Sequence, residues 1–183
     1  MTLKSETFSF HPILEKDIEI LHNKIFSDKE VMKYAFFEKI FSFNETKEFT
    51  KAYFSKDDDN PLGLVGVYLN NNEILMGFAG ILEFEYKNTK EYEFGFVLAK
   101  DFWGKGYATK IGKAQIDFAF RDMGLKRIYA LTNPKNGASK RVITKLGLKH
   151  IDSIIVKNRG KREVYKITRR DYGDNETMAW RGR

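Results

Sequence analysis

Apolar and polar positions along the chain follow two periods, and the switches between them divide it into elements. Phe8 and Phe10 alternate with Thr7, Ser9 and His11, which predicts a half-buried strand ending at Pro12. From Glu15 the period lengthens: Ile18, Leu21, Ile25 and Phe26 recur at helical spacing. Asp28 to Tyr34 reads as a second, short helix with Asp28 near its N-cap, and Asn44 or Thr46 is placed to cap a third carrying Phe49, Ala52, Tyr53 and Phe54. The intervening run from Tyr34 to Phe43 is densely aromatic, which fits core packing or a substrate-lining lip. Leu62 to Leu69 and Ile74 to Tyr86 read as strands joined by Asn70-Asn71-Asn72, since Asn tolerates the left-handed backbone of a tight turn. A further turn at Lys87 to Lys90 leads into Tyr92 to Ala99 and completes a three-strand meander.

In that last strand Tyr92, Phe94, Phe96 and Leu98 share one face, and Glu91, Glu93, Gly95 and Val97 the other. Trp103-Gly104-Lys105-Gly106-Tyr107-Ala108 marks the change back to a helical period, which carries Tyr107, Ile111, Ala114 and Phe118 to a C-cap at Gly124. A strand from Leu125 to Leu131 is broken by Asn133-Pro134-Lys135-Asn136. A helix then runs to Leu146 and is closed by Gly147. Two strand patterns follow, Lys149 to Lys157 and Arg162 to Thr168, joined by Asn158-Arg159-Gly160.

Composition narrows this picture. The 183 residues contain no Pro/Gly/Ser-rich linker, so one domain is expected over residues 1–172, and the patternless tail 173–183 reads as disordered. The absence of cysteine excludes disulfides, thiolate metal sites and a cysteine nucleophile. The carboxylates at Lys56-Asp57-Asp58-Asp59-Asn60 lack the ligand spacing and glycine of a calcium loop, so they read as a solvated loop and no metal is expected. His11, His22 and His150 are scattered and read as structural. A net charge of +7 and a pI near 9.4 favour polyanionic partners such as phosphorylated cofactors, although such a charge also serves solubility alone. The basic stretch Lys157 to Arg170 prompts a nucleic-acid-binding reading and equally describes two solvated strands. No apolar run is long enough to span a membrane and the N-terminus lacks a signal-peptide core, so a cytosolic chain with no membrane partner is expected.

Two features carry candidate chemistry. Glycines at a strand-to-helix junction let the backbone turn sharply and offer its N–H groups to a phosphate, with the helix N-terminus adding its dipole and Lys105 a charge. An ordinary tight turn would look the same. Glu93, beside a glycine on an apolar sheet, suits either a partly desolvated base or a cross-strand charge.

The order of elements, with three spaced motifs, resembles the GCN5-related N-acetyltransferase (GNAT) superfamily and, within it, the branch that acetylates ribosomal-protein N-termini. The family's acetyl-CoA motif, Gln/Arg-x-x-Gly-x-Gly/Ala, is matched with Trp103 at its first position and Gly106 and Ala108 at the small ones. Tryptophan there is similar to the ribosomal branch, as are Asn133-Pro134-Lys135-Asn136-Gly137-Ala138-Ser139 with Lys145-Leu146-Gly147-Leu148, and the ending Lys161 to Tyr172. The resemblance implies an α+β fold with a central, mostly antiparallel twisted sheet, a splayed strand pair and flanking helices. It implies acetyl-CoA as co-substrate, its pyrophosphate on Gly104, Lys105, Gly106, Tyr107 and Ala108 beside Trp103, and its pantetheine arm along Phe96, Val97 and Leu98. Asn136 and Ser139 would contact the same molecule. It further implies Val97 N–H as oxyanion donor, Glu93 as base with Glu91 and Glu163 as rivals, and Ser139 at the CoA sulfur, because Ile143 stands where some members carry a tyrosine. With no cysteine, direct transfer to an amine is expected. The acceptor would be a protein N-terminus or a small amine such as a polyamine, amino sugar or antibiotic; a non-catalytic acyl-CoA-binding module is the alternative.

Overall fold

In the computed structural model, which describes residues 3–4, 7–55, 61–70 and 73–173, the alternating segments pair into one sheet. Its strands are β1 (Leu3–Lys4), β2 (Phe8–His11), β3 (Gly63–Leu69), β4 (Ile74–Tyr86), β5 (Thr89–Leu98), β6 (Arg127–Thr132), β7 (Lys149–Val156) and β8 (Gly160–Thr168). Their order across the sheet is β1-β2-β3-β4-β5-β6-β8-β7. From β1 to β5 the pairing is antiparallel, with Phe10 opposite Val67, Val65 opposite Ala79 and Phe78 opposite Val97. A second antiparallel group sets Tyr129 of β6 opposite Lys166 of β8, and Ser153 of β7 opposite Glu163. The two groups are joined by a parallel contact with a single register pair, Glu93 opposite Tyr129. Beyond Glu93 the sheet therefore opens into a wedge between β5 and β6.

Helices cover both faces. On one lie α1 (Glu15–Leu21), which runs on as a π-helical turn His22–Phe26, α2 (Lys29–Met32) and α3 (Phe43–Tyr53). Their apolar side, with Leu21, Ile25, Phe26 and Phe49, packs on Phe78 of β4. On the other lie α4 (Tyr107–Arg121) and α5 (Gly137–Lys145). There Ile116 and Ile143 meet Phe94 of β5 and Ile128 of β6. The period-two faces read from β5 thus pack on different layers, Phe94 and Leu98 toward α4 and half-buried Val97 toward the first helical layer.

Local chemistry corrects several boundaries. The third helix is capped by Ser42, not Asn44 or Thr46, because Ser42 and Glu45 form a capping box that satisfies donors at both positions. Asp28 caps α2 as expected, accepting from Glu30 and Val31 N–H. That helix stops at Met32, and the chain passes through left-handed Phe36 and Glu38. Phe41 enters the core, stacked on Phe26 at 5.1 Å. A helical turn at 169–173 follows β8, where the hydroxyl of Tyr172 donates to Asp117 on α4 at 2.7 Å. The carboxylate run 56–60, Asn71 and Asn72, and the tail from 174 onward lie outside the described residues.

Candidate active site

The wedge holds a cleft of about 660 Å³. Its walls are the β5 edge from Glu93 to Leu98, the loop into α4, the start of α5, the turn before β8 and the segment around Tyr34 to Phe36. The aromatic run therefore divides, Phe41 into the core and Tyr34 and Phe36 onto the cleft.

At one end is the glycine loop. Gly104 (φ 73°) and Gly106 (φ 79°) are both left-handed, a conformation that favours glycine. No protein atom lies within 4 Å of where a Cβ would stand at either position. Internal packing therefore does not require these glycines; the backbone angle does, and the space they leave is open to a ligand. No side chain caps α4, so its first N–H groups and positive dipole end are offered to an anion. Trp103, Gly104, Gly106, Tyr107 and Ala108 line the cleft, whereas Lys105 is exposed and outside the lining. The Trp103 indole N–H donates to the Leu98 carbonyl at 2.7 Å, fastening the loop to the end of β5. An uncapped helix start behind an open, left-handed glycine turn fits the pyrophosphate of acetyl-CoA.

Along the β5 edge the direction of the backbone decides which groups are available. Ala99 N–H donates to the Met76 carbonyl at 2.9 Å, toward β4. Backbone direction alternates along a strand, and the β4–β5 register is unbroken from Gly77↔Leu98. The N–H groups of Leu98 and Phe96 therefore face the open wedge, while that of Val97 turns to β4. Val97 N–H is therefore not free to serve as the oxyanion donor expected of it, and Val97 remains a lining residue. Across the wedge, Asn136 caps α5 by accepting from Ser139 N–H at 3.0 Å, and both residues line the cleft. Ile143 is buried in the core beneath α5.

At the apex sits Glu93, 6% exposed and part of the lining. Its Oε1 accepts from the Arg159 guanidinium at 2.5 Å. Both rivals lie outside the lining: Glu91 is gripped by Arg127, whose Nε reaches its two oxygens at 2.8 and 3.0 Å, and Glu163 pairs with His150 at 2.5 Å. Arg162, 1% exposed, donates to Glu38 at 2.7 Å and to the Phe36 carbonyl at 2.8 Å, while Asn133 also donates to Glu38 at 2.7 Å. Burial lowers the Arg162 pKa, and the Glu38 carboxylate acts against that. This network clamps the left-handed segment at Phe36 and Glu38 against β8. Sequence reasoning missed Arg159, Arg162 and Glu38; the only local signal is two arginines around a turn glycine.

The histidines are elsewhere. His11 stacks on Tyr68 at 3.9 Å, His22 lies 3.0 Å from the Thr46 hydroxyl, and neither they nor His150 lines the cleft. Among the described residues no group of three or more His, Cys, Asp or Glu side chains could hold a metal ion, and no helix is long and apolar enough to cross a membrane.

Comparison with known proteins identifies the family of the chain. Residues 8–149 match the acetyltransferase (GNAT) domain. The chain is 33% identical over 123 residues to the uncharacterized N-acetyltransferase YnaD of Bacillus subtilis, covering 67% of this chain and 68% of that protein. It is 26% identical over 122 residues to spermidine N(1)-acetyltransferase of Vibrio cholerae, covering 65% and 67%. Among solved structures, a GNAT-family acetyltransferase from Bacillus anthracis superposes with a TM-score of 0.74 at 29% identity, covering 92% of this chain and 98% of that one. The Vibrio cholerae spermidine N-acetyltransferase, in complex with CoA and spermine, shares the fold at a TM-score of 0.72 and 20% identity, covering 92% and 99%. With a family match across most of the chain, this protein belongs to the GNAT acetyltransferase family and is an acetyl-CoA-dependent N-acetyltransferase.

Proposed function

We propose that the enzyme acetylates a primary amine by direct attack, with both substrates held in the wedge, and that the acceptor is a protein N-terminus of the ribosomal-protein type. The observation that carries the reading is Glu93, a buried carboxylate at the apex where β5 and β6 part. Acetyl-CoA supplies an acetyl group activated as a thioester; Gly104 to Ala108 hold its pyrophosphate, and the β5 edge and Asn136 hold its arm. The acceptor arrives as an ammonium, and Glu93 takes one proton from it, directly or through a water. The freed nitrogen forms the new C–N bond as the C–S bond breaks. Phe96 N–H, the open-edge donor nearer Glu93, stabilises charge developing on the thioester oxygen. The Ser139 hydroxyl passes the second amine proton to the departing thiolate. Glu93 then returns its proton to water.

A second reading, a polyamine acceptor, is favoured by the name of the Vibrio cholerae relative. Charge argues against it. Lys33, Arg141, Arg159 and Arg162 line the cleft against Glu30 and Glu93 among the described residues, and a cationic lining repels a polycation. Intact-mass analysis after incubation with acetyl-CoA tests the assignment on a panel of N-terminal peptides, spermidine and amino sugars. Addition of one acetyl group to the peptide α-amine is expected. Acetylation of spermidine alone would replace the N-terminus reading, and tight CoA binding with no transfer to any amine would reduce the protein to a binding module.

A further inference from the structure

We propose that Arg159 is an acceptor-binding residue that selects N-termini whose first side chain carries a carboxylate, Asp or Glu, and that gripping this carboxylate releases Glu93 for proton transfer. The inference rests on the N-terminal acetylation reading above.

Arg159 stands on the tight turn between β7 and β8. Its N–H donates to the Val156 carbonyl at 3.0 Å, between left-handed Asn158 (φ 62°) and Gly160 (φ 68°). That turn directs the side chain into the cleft. Its partnering there is incomplete: one terminal nitrogen holds Glu93, while Nε is buried without a hydrogen-bond partner. An unpaired buried donor is costly, and charged groups more so. Arg162, three residues on, shows the contrast. Its two terminal nitrogens are committed to Glu38, the Lys161 carbonyl and the Phe36 carbonyl, so it belongs to the frame.

The pairing with Glu93 also leaves the base engaged. A carboxylate oxygen that accepts from a guanidinium at 2.5 Å is poorly placed to take a proton from an amine. An acceptor with an ammonium alone would have to compete with Arg159 for Glu93. One that also carries a carboxylate exchanges one ion pair for two: its ammonium meets Glu93, and its carboxylate meets the planar fork of Arg159, which binds two oxygens at once and engages Nε. Glu30, the other lining carboxylate, is already paired with Lys100 at 2.9 Å.

The test is kcat/KM on peptides matched except for charge, N-terminal Asp against Asn and Glu against Gln, at saturating acetyl-CoA. A preference of about tenfold or more for the acidic member is expected, the scale of one charge-assisted contact. Arg159→Gln should abolish the preference through KM, Arg159→Lys should keep part of it, and Arg159→Glu should shift it toward an N-terminal Lys peptide. Unchanged acetyl-CoA affinity in each variant excludes misfolding. Equal turnover of acid and amide by the wild type, or a preference that survives Arg159→Gln, overturns the proposal. If no peptide is acetylated but small amines are, the N-terminus reading fails; aspartic acid α-amide against asparagine α-amide, which differ only in the side-chain carboxylate, then measures the carboxylate preference, and its absence there overturns the Arg159 assignment as well.

Discussion

The indole N–H of Trp103 donates to the backbone carbonyl of Leu98 at 2.7 Å across the 3-10 turn Lys100–Phe102. It sets the distance between the strand edge and the glycine turn, the two surfaces proposed above to hold CoA. Trp103→Phe keeps the ring and removes the donor. A neutral hydrogen bond is worth about 0.5–1.5 kcal/mol net, so acetyl-CoA affinity measured by calorimetry should fall about two- to tenfold. Unchanged affinity would mean that the loop is held without this bond.

Gly106→Val should weaken acetyl-CoA binding well beyond its effect on stability. The substitution is strained at φ 79°, by roughly 1–2 kcal/mol, and its side chain occupies space that no protein atom fills. Gly124→Ala provides the control. Gly124 is also left-handed (φ 70°) and equally open, but lies outside the cleft lining. It should lower Tm while leaving acetyl-CoA affinity intact; parallel losses at both sites would reduce the Gly106 effect to backbone strain.

Glu93→Gln keeps the shape of the side chain and removes the base. A fall in kcat of about 10²–10⁴ is expected, the range for a positioned proton acceptor, with little change in acetyl-CoA affinity. Stability should fall too, because Arg159 loses its ionic partner. Stopped-flow thiol release separates the two effects, and wild-type kcat in this variant would transfer the role to a water or to another group.

The capping box of α3 predicts a pH effect far from the chemistry. A hydrogen bond from Lys39, reinforced by Ser42, depresses the Glu45 carboxyl to about 2. A folded pKa below the unfolded one stabilises the protein above the unfolded value near 4.5, and this contribution is lost as pH falls toward 2. Thermal melts from pH 5 to 2 should therefore show a steeper decline for wild type than for Glu45→Gln. Matching slopes would show that the cap contributes no acid sensitivity.

What was legible in the sequence follows from the range of the interactions involved. The turn at Trp103 to Ala108, the helix capped by Asn136 and the alternation of β5 depend on neighbours a few residues away, and each stands close to where the local pattern places it. Ser42-x-x-Glu45 is equally local, yet the expected caps are Asn44 or Thr46. Arg159 with Glu93 and Arg162 with Glu38 span 66 and 124 residues, and no local pattern announces such pairs. The direction of Val97 N–H is a different kind of case: periodicity fixes which side chains share a face, but only the register with β4 fixes which backbone groups remain free.

The bond from Arg162 to the Phe36 carbonyl closes a loop of 126 residues, which bears on how the enzyme is made. Contacts of such separation form late, since the entropy of closing the chain must be overcome first. On the ribosome, α1 to α3 and the β2–β5 meander emerge and can pack while the other wall of the wedge is still unsynthesised. The glycine turn and its helix can likewise form before β8 exists. The β8 wall cannot, so a nascent chain halted before Arg162 would have its glycine turn in place and the clamp on Phe36 and Glu38 still unmade.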